Sequence, residues 1–168
     1  MSKNITLRMA EASEKAAATL EKQGLKLYDQ PEDRIPRLPE DITALHEEEL
    51  MDLFVGLTSW LDYVSVQVAC AEIDERAAQR VLDQAEATAL IAGWSGERAD
   101  RVAIARAKQA INPEVNRLLA EFAEAHNYRK LIQTLASNLE RDAALASREL
   151  TRRTAGISTP SKRASRWS

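Results

Sequence analysis

Residues 47–92 read EEELMDLFVGLTSWLDYVSVQVACAEIDERAAQRVLDQAEATALIA, a run without proline and with one glycine, Gly56. Its apolar residues recur in alternating steps of three and four. One row carries Phe54, Leu61, Val68, Glu75, Leu82 and Ala89; the other carries Leu50, Leu57, Val64, Ala71, Ala78, Ala85 and Ala92. This is a heptad seam, and it decides the fold class, because a strand repeats every two residues. Val64, Val66 and Val68 do alternate, but the heptad continues on both sides of them and overrides the strand. The spacing predicts one helix from a Thr43 N-cap, with His46 at N3 and Glu47, Glu48 and Glu49 at the positive end of the helix dipole. Only Glu75 breaks the seam.

After this run, Gly93-Trp94-Ser95-Gly96 predicts a turn, and Ser95 or Gly96 caps a short helix over 97–111. Asn112-Pro113-Glu114 then gives an N-cap, a proline at N1 and an acid at N2, so a further helix runs to about Thr154. Its seam is Val115, Phe122, Arg129, Ala136, Ala143 and Leu150 against Leu118, Ala125, Ile132, Leu139 and Ala146, broken only by Arg129. Setting Glu75 opposite Arg129 fixes an antiparallel register, with Pro113 beside Ile91 and Thr154 beside Leu50. The two helices, each roughly 60–70 Å long, then match end to end.

The predicted fold is therefore all-α: a long antiparallel, coiled-coil-like helical hairpin with a short helix at the turn. Glu75 and Arg129 form its structural ion pair, which contributes register more than stability. Trp60, Ile73, Leu119, Leu131, Leu135 and Leu145 lie off the seam. The 97–111 helix covers some of them and a neighbouring subunit the rest, so the chain is expected to be a homo-oligomer. Trp60 and Tyr63, three apart, read as core or interface aromatics before they read as a stacking pair.

Residues 1–23 predict a short helix with Ile5, Met9, Ala12, Ala16 and Leu20 on one stripe, stopped at Gly24. Residues 24–41 hold Pro31, Pro36 and Pro39 among acids, which predicts an extended, mobile linker and a loosely attached first helix. The organisation is thus a helix at 1–23, an acidic linker at 24–41, a hairpin domain at 42–155 and a basic, disordered tail at 156–168.

Composition narrows the function. The chain has 168 residues, 45% hydrophobic and 29% charged, which is one domain's worth of foldable sequence. Five glycines and five prolines are too few for the turns of a β-sandwich or barrel. The single cysteine, Cys70, excludes a disulfide framework and points to a reducing, cytoplasmic compartment. It sits in Val68-Ala69-Cys70-Ala71 and reads as a small buried hydrophobe. Lys3 and Arg8 are followed by Glu11 and Glu14, so no signal peptide is expected. No stretch approaches 18 continuous apolar residues, which predicts no membrane span. His46 and His126 have no second ligand at metal spacing, and no nucleophile elbow, Walker or dinucleotide motif is present. The expectation is a protein that is not an enzyme and takes no metal or cofactor.

A formal net charge of −3 conceals a division along the chain. Residues 29–52 carry nine acids against Arg34 and Arg37, a net of −7. Residues 150–168 carry Arg152, Arg153, Lys162, Arg163 and Arg166 with no acid, a net of +5, together with Trp167. A second basic set, Arg98, Arg101, Arg106 and Lys108, follows Trp94. Both sets, and Trp167, are candidate nucleic-acid contacts: cations on phosphates and an indole on a base. The plainer alternatives are a solvated helix face for the first set and a solubilising or docking terminus for the second.

The order Leu50…Trp60-Leu61-Asp62-Tyr63, Gly93-Trp94-Ser95-Gly96, Asp100-Arg101…Lys108, Asn112-Pro113-Glu114-Val115, Tyr128…Leu131 and Ser147-Arg148-Glu149-Leu150 resembles the UvsY-like recombination mediators of bacteriophages over residues 45–153. The resemblance implies a non-enzymatic helical ring-former that binds single-stranded DNA. It also implies help in loading a recombinase onto DNA covered by single-strand-binding protein, in the cytoplasm of a host cell. That family carries a basic pair shortly before the turn, where this chain has Asp83-Gln84-Ala85-Glu86-Ala87. DNA contact would therefore fall to Arg98–Lys108, to Arg80 or to the tail. The competing expectation is a phage structural or assembly protein, or a helical adaptor whose basic tail docks on an acidic partner. In a variant of it, the tail of one subunit closes a ring on the acidic 29–52 region of the next.

Overall fold

The computed structural model describes residues 11–93 and 101–157, with side chains for 11–93 and 102–155. In chain order these form α1 (Glu11–Lys22), a 3-10 turn (Ile42–Ala44), α2 (Glu47–Ala92), α3 (Arg101–Ala110) and α4 (Pro113–Ile157). The protein is all-helical, with no strand among the described residues and one long helix packed on another. Two compact units divide it: residues up to 27 with 66–133, and 28–65 with the chain from 134 onward.

In the first unit the core is Leu82, Ala89, Val115 and Leu118, with Ala85 and Phe122 packed against it. Every one of these is a seam position. Residues 81–92 share a groove with 112–118, and residues 72–79 share a cleft with Phe122 and Arg129, so numbers rise along α2 as they fall along α4. Asn112 caps α4: its Oδ1 accepts from the backbone N–H of Glu114 at 2.9 Å and of Val115 at 3.3 Å. α3 lies close on the end of α2, because a Cβ at Gly93 would stand 3.2 Å from Ala105 Cα. Glycine is the residue that permits this approach.

α1 is fastened within the same unit. Asp74 accepts the Ser13 hydroxyl at 2.8 Å and the Ser13 backbone N–H at 3.0 Å, and Ser13 is buried. Gln67, Cys70 and Ala71 are buried along the same stretch of α2. Burial and the neighbouring Asp74 charge push the Cys70 thiol above its ordinary value, which makes it an unreactive packing residue.

In the second unit Leu50, Leu57 and Val64 on α2 and Leu139, Ala143 and Ala146 on α4 are buried, again seam positions. α2 begins three residues later than the Thr43 cap predicts. Asp41 caps the 3-10 turn instead, accepting from Thr43 N–H and from the Thr43 hydroxyl. His46 then stands at the helix N-cap, and its N–H is taken by the Glu49 carboxylate at 2.9 Å. This is the half of a capping box in which the N3 acid reaches back.

The Pro-rich acidic segment has no regular secondary structure over 25–40, and it is seated on α2. The Trp60 indole N–H donates to the Asp33 carbonyl at 3.1 Å, and Pro36 lies over Gly56. Trp60 and Tyr63 are both buried, edge to face with ring centroids 5.9 Å apart. The cover that the off-seam position of Trp60 demands thus comes from this strap of the same chain. An added Cβ at Gly56 would fall 2.9 Å from Pro36 Cγ, and the proline ring cannot rotate away. Gly56→Ala is therefore expected to lift the strap at a cost of about 1–2 kcal/mol, seen in a chemical melt and in faster cleavage within 28–41.

By length and composition α2 is the one described helix that could cross a membrane, with a mean hydropathy of 1.3 in its most apolar window. Continuous apolar runs alone do not reveal this, since Asp62 and several small polar residues interrupt the sequence.

Candidate nucleic-acid interface

α3 holds Arg101, Arg106 and Lys108 in ten residues with no acid. Arg106 and Lys108 are exposed, as are Val102 and Ile104 earlier in the same helix. Arg98 lies outside the described residues, and Arg101 has its backbone in the helix. The tail candidates Lys162, Arg163, Arg166 and Trp167 also lie outside the described residues, as does Trp94.

The two tail-base arginines separate. Arg152 is 66% exposed and pairs with Glu149, Nε and Nη2 on the two carboxylate oxygens at 2.7 Å. This bidentate geometry leaves the rest of the guanidinium toward solvent. Arg153 is only 18% exposed and is taken up by the fold. Its Nε donates to Glu149 Oε1 at 2.8 Å, Nη1 to the Leu45 carbonyl at 2.9 Å, and Nη2 to the Thr43 and Ile42 carbonyls at 3.2 and 3.4 Å. The Arg153 guanidinium is thus engaged within the fold. It ties the end of α4 to the turn before α2. Hydrogen bonds from Arg152 and Arg153 hold the Glu149 carboxyl well below the usual carboxylate range, at about 2.

The structure brings Glu75 and Arg129 together, with a third partner that seam counting leaves out. Arg129 Nε makes a close charge contact with Glu75 Oε2, its N–H not aligned for a hydrogen bond, while Nη1 donates to Gln133 Oε1 at 3.0 Å. His126 Nδ1 lies 2.6 Å from Glu75 Oε1. An ionised carboxylate only accepts, so Nδ1 carries the proton. Burial alone would raise the Glu75 carboxyl, but the His126 hydrogen bond and the Arg129 guanidinium outweigh it and hold it below its ordinary value. Glu75 and Arg129 border a cleft of about 330 Å³ shared with Glu72, Arg76, Gln79 and Phe122.

Two signals for these contacts were present in the sequence. His126 precedes Arg129 by three residues, which places both on one helix face, and Glu149 precedes Arg152 and Arg153 by three and four. No signal pairs Trp60 with a backbone carbonyl 27 residues away. Among the described residues no three His, Cys, Asp or Glu side chains gather as metal ligands would.

Compared with protein-family models, with curated proteins and with solved structures, the chain matches none of them.

Proposed function

We propose that this chain is a non-catalytic, self-associating helical protein that holds single-stranded DNA along α3 and the basic C-terminal segment, in the manner of a phage recombination mediator. The observation that carries the reading is α3: three cations, no acid, and an exposed face that mixes cations with apolar residues. Such a face suits a phosphate backbone with bases laid alongside it. Self-association is supported by large apolar side chains that the chain leaves open to solvent, among them Val81, Ile91, Leu119 and Leu131. Repetition of a weak basic site around an oligomer would supply avidity. The Glu75–Arg129 contact supports the antiparallel register proposed for the hairpin. On this reading the partners are single-stranded DNA, a recombinase and a single-strand-binding protein.

The test is light scattering for mass, followed by anisotropy titration of a labelled single-stranded oligonucleotide at two salt concentrations. An oligomer with salt-sensitive binding is the expected result. Arg106→Ala with Lys108→Ala should weaken binding and lower the slope of log affinity against log salt by roughly 0.7 per lost phosphate contact. An oligomer with no affinity at low salt would replace the reading by a second one, a helical assembly protein or adaptor. The second reading is favoured by one observation, that Arg153 serves the fold.

A further inference from the structure

We infer that the face of α2 formed by Gly56, Trp60 and Tyr63 is a recognition groove for an extended proline-containing segment, and that the strap of a second copy of this chain can occupy it in place of the chain's own.

The groove reads two features of its occupant. The Trp60 N–H takes a backbone carbonyl, at Asp33, and the missing side chain at Gly56 admits a proline ring three residues on, at Pro36. Tyr63 braces the indole edge to face. An aromatic-lined groove with an indole donor and room for a proline is how extended proline-rich peptides are bound generally, since such segments lose little entropy on docking. Here the ligand is part of the chain.

What is bound by side chains and an indole hydrogen bond does not require its own connection to α2. The contacts of a strap from a second copy would be identical to those made in cis. The difference in free energy then reduces to chain connection and concentration, which is the condition under which domain exchange is cheap. The strap also points apolar side chains away from its seat: Tyr28 is 62% and Ile35 is 37% exposed. A lone chain gains nothing from these, whereas a neighbouring copy laid against the strap covers them. The inference rests on the self-association proposed above and supplies a route to it.

The test uses the full chain carrying Pro36→Cys and Gly56→Cys on a Cys70→Ala background, gently oxidised over a range of concentrations. A Cβ at position 56 falls 2.9 Å from Pro36 Cγ, one bond from the Cβ of residue 36, which keeps the two Cβ atoms within the roughly 3.5–4.5 Å range of a disulfide. Expected are covalent multimers that increase with concentration, with the 36–56 link between chains confirmed by mass spectrometry. Link formation solely within single chains, in a sample that light scattering shows to be oligomeric, overturns exchange and leaves self-association standing. The same result in a monomeric sample overturns both. Absence of any 36–56 link overturns the groove itself. Suppression of multimers by an unrelated proline-rich peptide would give the groove to proline-rich partners at large and overturn the second copy as its occupant. Trp60→Phe offers an independent reading: loss of the indole donor should speed hydrogen exchange in 28–41 about fivefold, and no change would overturn the seat.

Discussion

Reversal of the charge at Glu75 alone, by Glu75→Arg, is expected to cost about 2–3 kcal/mol of folding stability. The native carboxylate is 15% exposed and faces the Arg129 guanidinium and the His126 imidazole. A cation in its place meets a guanidinium at contact distance and leaves His126 Nδ1 without its acceptor. Breaking a fully buried pair costs more, but this one borders an open cleft, and water relieves part of the repulsion. The compensating swap, Glu75→Arg with Arg129→Glu, should recover about half of the loss. It restores opposite charges across the seam and still deprives His126 of its partner. Urea melts of the wild type, both single variants and the double variant form a cycle that isolates the coupling. A double variant no better than the sum of the singles would mean that the pair contributes no register.

Arg153→Ala should cost a comparable amount, about 2–3 kcal/mol, because three main-chain carbonyls and one buried carboxylate lose a charged donor together. Arg152→Ala, at a side chain two-thirds exposed, should leave the melting temperature close to that of the wild type. The same cluster predicts an acid limb. Glu149 titrates at about 2 in the folded chain, below its ordinary 4.5. A carboxyl with a depressed folded value gives stability that is fully present above the unfolded value. That stability is lost as pH falls from about 4.5 toward 2. Glu149→Gln should therefore lower stability at pH 6 and flatten its decline between pH 5 and 2. Melts at intervals of one pH unit for both chains provide the check, and parallel curves would exclude this carboxyl as the source.

The seam was legible because the heptad pattern is redundant. Leu82, Ala89, Val115 and Leu118 each repeat the same signal, and they form the core of the first unit. Asn112-Pro113-Glu114 was legible because capping is local chemistry. The strap was not legible. Pro31, Pro36 and Pro39 announce only that no helix or sheet forms, and the partner that fixes them is one indole on a distant helix. Sequence periodicity likewise could not separate Arg152 from Arg153. Adjacent residues on a helix point about 100° apart, and this alone sends one to solvent and the other to the carbonyls at 42–45. The basic character of α3 was plain from composition, while what its cations touch depends on a partner that composition does not name.

α2 meets neighbours on more than one side. In the second unit it gives Leu57 and Val64 to one packing surface and Gly56 and Trp60 to the strap. In the first it gives Leu82 and Ala89 to the core and Asp74 to α1. Its covered positions have little liberty to drift, since a change that suits one neighbour strikes another. Among diverged descendants of this chain, α2 should accordingly accept fewer substitutions per site than α4. Its small residues, Gly56 above all, should be the slowest of any to change.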